Sequence, residues 1–129
     1  MSFLTPGKKN LITDVKGLYI GNSENELINT GSTILTCEDR FVASYKVLGG
    51  APGTRETDLL EPDKLVEKID ALVLSGGSAF GLEAASETVN LLRKDNKGYS
   101  VSNTKVPIVP SAIISVSYTH LRAHATNSK

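Results

Sequence analysis

The sequence predicts a mixed α/β (α+β) domain, and three observations predict it. Short runs rich in β-branched and apolar residues recur, and those at 17–21, 41–50 and 71–77 stop on glycine. One stretch, 78–94, repeats its apolar residues at the helical interval. Another, 106–114, is apolar but carries Pro107 and Pro110, which suits extended chain and not helix.

In chain order, GLYIG (17–21) reads as a strand between glycines, and the polar, turn-rich residues after it as a loop. STILT (32–36) reads as a second strand, and FVASYKVLGG (41–50) as a third ending on a double glycine. Their short connections predict antiparallel pairing. EPDKLVEKIDA (61–71) places Pro62 at a first-turn position with Leu65, Val66 and Ile69 on one face, which predicts a short amphipathic helix. ALVLSGG (71–77) predicts a buried strand. In 78–94, Phe80, Leu82, Ala85, Val89 and Leu92 share a helix face, with Gly98 beyond as a stop. The prolines of VPIVPSAII (106–114) predict an edge strand or a lining segment.

The chain has 129 residues, enough for one domain with a core. Hydrophobic residues at 40% and charged residues at 22% indicate a globular chain, not a disordered one. Fourteen basic residues balance fourteen acidic ones, so no basic excess points to nucleic acid or a membrane surface. The single Cys37 cannot form an internal disulfide and fits a reducing compartment. Pro6 and Gly7 interrupt the place of a signal core, and no apolar run reaches membrane-spanning length, which makes a cytoplasmic protein the expectation. Residues 115–129 change character: the apolar period is lost, both histidines lie there, and the charged residues are Arg122 and Lys129.

Two glycine-rich stretches stand out. SGGSAFG (75–81), with Gly76, Gly77 and Gly81 at the opening of a helix, could expose backbone amides to an anion, or be a tight strand-to-helix turn. It lacks the Walker lysine, since Leu82 follows Gly81. Ser78 stands where the dinucleotide fingerprint needs its second glycine, and Phe80 where a nucleophile elbow around Ser78 needs one. GGAPGTRETD (49–58) is either a surface turn or a rigid polar loop in which Arg55 and Glu56 orient a partner group. Cys37 fits a small core residue, with no histidine placed to activate it. His120 and His124 have a metal pair's spacing but no third ligand, so no metal site is assigned.

Together, NLITDVKGLYIGN, GGAPGTRETDLLEP, VLSGGSAFGLEAA and VPIVPSAII resemble, in order and spacing, the P1 (DmpA-like) aminopeptidases, peptidase family S58. The resemblance covers residues 10–114 and implies a fragment of a four-layered α-β-β-α sandwich like that of the N-terminal-nucleophile hydrolases. It implies a precursor that cuts itself once, freeing a serine or threonine whose hydroxyl attacks a peptide, amide or ester substrate. No cofactor is implied. The partners implied are the second chain of the same precursor and further copies in a homo-oligomer. On this resemblance Gly76, Gly77 and Ser78 are candidates for substrate or oxyanion contacts, and Arg55 and Glu56 for the pocket or its support.

Residues 1–114 then form the first-chain portion, and 115–129 a tail outside the family, read as a frameshift, read-through or foreign sequence. No serine or threonine here matches the nucleophile's motif. The expectation is therefore an inactive fragment of low solubility with an open sheet edge. A stand-alone anion- or small-molecule-binding module using the Gly76-Gly77 turn and a truncated, non-catalytic paralogue are the alternatives.

Overall fold

The computed structural model describes residues 4–114. Apolar and β-branched residues build a long hairpin at its start. Strand β1 (Leu18–Asn25) pairs antiparallel with β2 (Thr30–Phe41), from Leu18 opposite Cys37 to Asn25 opposite Thr30. Asn25 Oδ1 closes the turn by accepting the amides of Leu27 (3.0 Å) and Ile28 (3.4 Å), and Asn29 takes a left-handed φ of 49°. The loop expected after Gly21 is thus shorter than the polar residues suggested. Asn22 to Asn25 are exposed, so their polarity costs nothing on an edge strand.

Four further strands join or flank this hairpin after β3 (Thr54–Arg55): β4 (Ile69–Ser75), β5 (Tyr99–Val101), β6 (Thr104–Val106) and β7 (Ser111–Ile113). The main sheet has the order β1-β2-β4-β7-β3, with β4 and β7 parallel and the other neighbours antiparallel; β5 and β6 form a separate hairpin. A 3-10 turn (Ser78–Leu82) and helix α1 (Glu83–Lys94) cross over between the parallel pair.

Helix α1 covers one face of the sheet. Ala85 and Leu92 are buried with Ala71, Val73 and Val109, and Ile34, Ala84 and Val89 pack around them. Glu83 in its first turn and Arg93 and Lys94 in its last suit the helix dipole. It ends in a Schellman motif: Asn96, at φ 54°, donates to Arg93 O (3.0 Å), and Lys97 donates to Leu92 O (2.9 Å). Asn96 therefore stops the helix ahead of Gly98. The opposite sheet face stays open, and Leu74 is 51% exposed beside the fully buried Val73. Among the described residues no helix is long and apolar enough to cross a membrane.

A buried carboxylate fixes the return of the chain. Asp70 Oδ2 accepts the Ile108 amide at 2.9 Å, and Asp70 Oδ1 lies 3.3 Å from Arg40 Nε. The Arg40 guanidinium also donates to the Lys68 carbonyl and stands 5.3 Å above the Tyr99 ring centroid.

Three expected elements differ. No helix forms over 61–71; a 3-10 turn (Asp58–Leu60) precedes irregular chain, and Leu65 is left exposed. So short a helix without a packed face does not hold, and Ile69 and Ala71 bury in β4 instead. The strand expected over 41–50 ends at Phe41, beyond which Val42 and Leu48 are exposed. The segment 106–114 is no edge: β7 lies between β4 and β3, and its prolines precede the ladder in buried chain.

Candidate active-site wall

Strand β4 delivers the chain into the SGGS turn, which is gripped from both sides. The Gly76 amide donates to Gly31 O on β2 at 2.8 Å. On the other side, Ile114 N donates to Ser75 O (2.8 Å) and Ser78 N donates to Ile114 O (3.2 Å). Beneath the turn, the Ser75 and Ser32 hydroxyls lie 2.8 Å apart, and Ser75 Oγ donates to the Gly76 carbonyl at 3.1 Å. Ser75 is buried, so this pairing satisfies a hydroxyl that would otherwise be costly.

The backbone here needs glycine. Gly77 has φ 86° and ψ 17°, a left-handed conformation that side chains disfavour. A Cβ on Gly81 would overlap the Gly76 carbonyl oxygen and stand 3.1 Å from Ile113 Cγ2. Ser78 is held at φ 55° although it carries a side chain.

A cavity of about 910 Å³ opens in front of this turn. Gly76 and Gly77 form one wall; Asn22, Glu24, Glu26 and Thr30 of the β1–β2 hairpin line another. Among the described residues no lysine or arginine lines it. Its carboxylates oppose an anionic ligand, which weighs against the anion-binding reading of the turn. Asn22 Oδ1 accepts the Thr33 hydroxyl at 2.8 Å, so that amide is already oriented.

Of the three amides expected to contact substrate, those of Gly76 and Ser78 are committed within the fold. The Gly77 amide has no partner among the described residues. Arg55 and Glu56 do not line the cavity. Arg55 Nη1 donates to Ser86 Oγ on α1 at 2.6 Å, and Glu56 Oε2 accepts the Val109 amide at 3.4 Å. They point to different neighbours, Arg55 from the end of β3 and Glu56 from a left-handed residue (φ 53°) just past it, and they tie β3 to the elements behind the cavity. Thr30, Ser32 and Ser75 escaped the sequence reading. Their signal is faint: single hydroxyls, of which Ser32 and Ser75 meet only through the β2–β4 register and Thr30 sits at the start of β2.

Cys37 is half-buried on β2. Among the described residues no group of three or more His, Cys, Asp or Glu side chains is placed to hold a metal. His120 and His124, with the rest of the tail, lie outside the described residues.

The profile of peptidase family S58 matches residues 10–127, past the change in character at residue 115, so the boundary drawn there stays an expectation. An uncharacterized aminopeptidase of Mycobacterium tuberculosis is 40% identical over 113 residues, covering 81% of this chain and 33% of the relative. A similarly named protein of Mycobacterium bovis matches equally, and one of Mycobacterium leprae is 38% identical over 113 residues, covering 81% of this chain and 31% of its own length. The chain thus spans about a third of the curated relatives it matches. With most of its length inside the family profile, the chain belongs to peptidase family S58.

Proposed function

We propose that residues 10–114 are the first-chain portion of a self-processing aminopeptidase or amidase. In this reading a serine or threonine hydroxyl, freed by one internal cleavage in a downstream segment, attacks an amino-acyl amide, peptide or ester. A nearby base takes the hydroxyl proton, because a neutral hydroxyl is a poor nucleophile. The acyl oxygen gains negative charge as the tetrahedral intermediate forms, and fixed donors stabilise it there. Residues 75–78 supply such a donor from a rigid turn, while Arg55 and Glu56 support the wall from behind. The partners in this reading are the second chain of the precursor and further copies in a homo-oligomer, and the compartment is the cytoplasm.

One observation carries the reading: the chain belongs to a peptidase family, and its SGGS turn lines an open cavity with one uncommitted amide. The test joins residues 1–114 to the remaining two-thirds of the M. tuberculosis relative and follows self-cleavage by gel and release of p-nitroaniline from L-alanine p-nitroanilide. The fusion should do both, and the 129-residue chain alone should do neither. A folded fusion that neither cleaves nor hydrolyses would overturn the reading; turnover by the 129 residues alone would overturn the assignment of the nucleophile to another segment.

A further inference from the structure

We propose that the Thr30 hydroxyl and the Gly77 amide form a two-donor seat for a single acceptor oxygen, the carbonyl oxygen of an amino-acyl substrate. The inference rests on the acyl-transfer reading above and adds to it a residue, Thr30, and an atom-level role.

The hairpin and the turn bring the two groups to one place. Thr30 opens β2, opposite Asn25 in the ladder, and lines the cavity beside Gly76 and Gly77. Its Oγ1 lies 3.7 Å from where a Cβ on Gly77 would stand, and 2.5 Å from the corresponding point on Gly76. The hydroxyl thus overhangs the turn. Between the two donors runs the Gly76 amide to Gly31 O bond of 2.8 Å, which locks the hairpin to the turn and fixes their separation.

Neither group has a hydrogen-bond partner among the described residues, whereas the flanking donors of Gly76 and Ser78 are both engaged. A polar group left open in an otherwise satisfied turn is available to a ligand. Two donors side by side select an acceptor. The Glu24 and Glu26 carboxylates on the same cavity exclude a full anion but tolerate a neutral carbonyl attached to a cationic amine. That combination is the head of an amino-acyl amide. As the carbonyl oxygen gains charge during attack, both hydrogen bonds strengthen, which favours the transition state over the bound substrate.

The test uses the 129-residue chain, labelled with ¹⁵N and titrated with L-alaninamide and with 2-butylamine, which keeps the ammonium and methyl groups but lacks the carbonyl. Alaninamide should move the Gly77 amide resonance and 2-butylamine should not. Thr30→Val should weaken alaninamide binding about fivefold, the worth of one hydrogen bond, and Thr30→Ser should restore it. An unchanged dispersed spectrum in both variants shows that the hairpin is intact; if Thr30→Val disturbs it, the Thr30→Ser response and the two-probe comparison decide alone. No Gly77 response to alaninamide, an equal response to both probes, or full-strength binding by an intact Thr30→Val chain would each overturn the seat. A seat that binds while the fusion enzyme fails to hydrolyse would instead point to a fault in the acyl-transfer reading.

Discussion

Two double glycines in this chain follow apolar runs, yet the fold treats them in opposite ways. Gly76-Gly77 is clamped between Gly31 and Ile114, over the Ser32–Ser75 hydroxyl pair. Gly49-Gly50 lies in irregular chain with Leu48 83% exposed, and an added Cβ at either glycine would meet nothing within 4 Å. The first pair is glycine because the packing leaves no room and Gly77 is left-handed. At the second, only Gly49, with φ 114°, has a conformational reason. A shared dipeptide therefore says little about rigidity; the elements packed on either side decide it.

The sharpest way to break this comparison is a pair of alanine substitutions. Gly81→Ala forces a methyl against the Gly76 carbonyl and Ile113. It should cost about 3 kcal/mol, in the range of overpacked sites, and lower the melting temperature by about 10 °C. Gly50→Ala should stay within about 0.5 kcal/mol of the parent. Thermal melts followed by circular dichroism read both, and similar losses would remove the distinction between a clamped and an open glycine turn.

Smaller changes sharpen it. Ser75→Ala removes the hydroxyl under the clamped turn and leaves Ser32 unpaired, which should cost about 1 kcal/mol. Its clearer signature is faster hydrogen exchange at the Gly76 amide, the bond to Gly31 that the hydroxyl pair supports. Exchange at Gly49 and Gly50 should be fast in parent and variant alike, because neither amide is bonded among the described residues. Arg55→Ala releases β3 from Ser86 on the far side of the sheet, also for about 1 kcal/mol. It should leave Gly76 exchange unchanged; an equal acceleration there would mean that the two ends of the sheet are one cooperative unit.

The parts of the fold legible in the sequence were those whose burial follows from local pattern. Val73 and Ala71 alternate with more exposed neighbours on β4, and Ala85, Val89 and Leu92 keep the helical interval on α1, so both elements were readable. Phe80 shared that interval but is 63% exposed, because the chain is still in the 3-10 turn there and its period differs. Residues 61–71 had a helical pattern but no surface to bury it against, and Ile69 and Ala71 were claimed by the sheet. The depth of β7 was hidden because its prolines end at Pro110, one residue before the ladder begins. The candidate site was half visible. The glycines announced a special turn, but Thr30 and Ser32 reach it only through strand register over more than forty residues of intervening chain, and no local pattern records that.

The open loop has one side-chain anchor that pH can release. Tyr45 OH donates to Glu61 Oε1 at 3.0 Å, and this hydrogen bond to a carboxylate raises the phenol's pKa above the ordinary tyrosine value near 10. The protonated phenol makes the bond, so its contribution is fully present below the unfolded-state pKa and is lost as pH rises through the higher folded value. Tyr19 behaves alike, since its hydroxyl donates to Glu38 at 2.8 Å and its pKa is raised mainly by that bond. Alkaline titration followed by phenolate absorbance should thus show late-titrating tyrosines, one of which disappears in Tyr45→Phe. Stability at pH 7 should change little, because the group is exposed and screened. The same substitution should speed proteolysis within 42–53 while leaving the Gly76 amide slow to exchange. If Tyr45→Phe loosened Gly76 as well, the open loop would be coupled to the clamped turn, and the two glycine pairs would answer to a single local unfolding event.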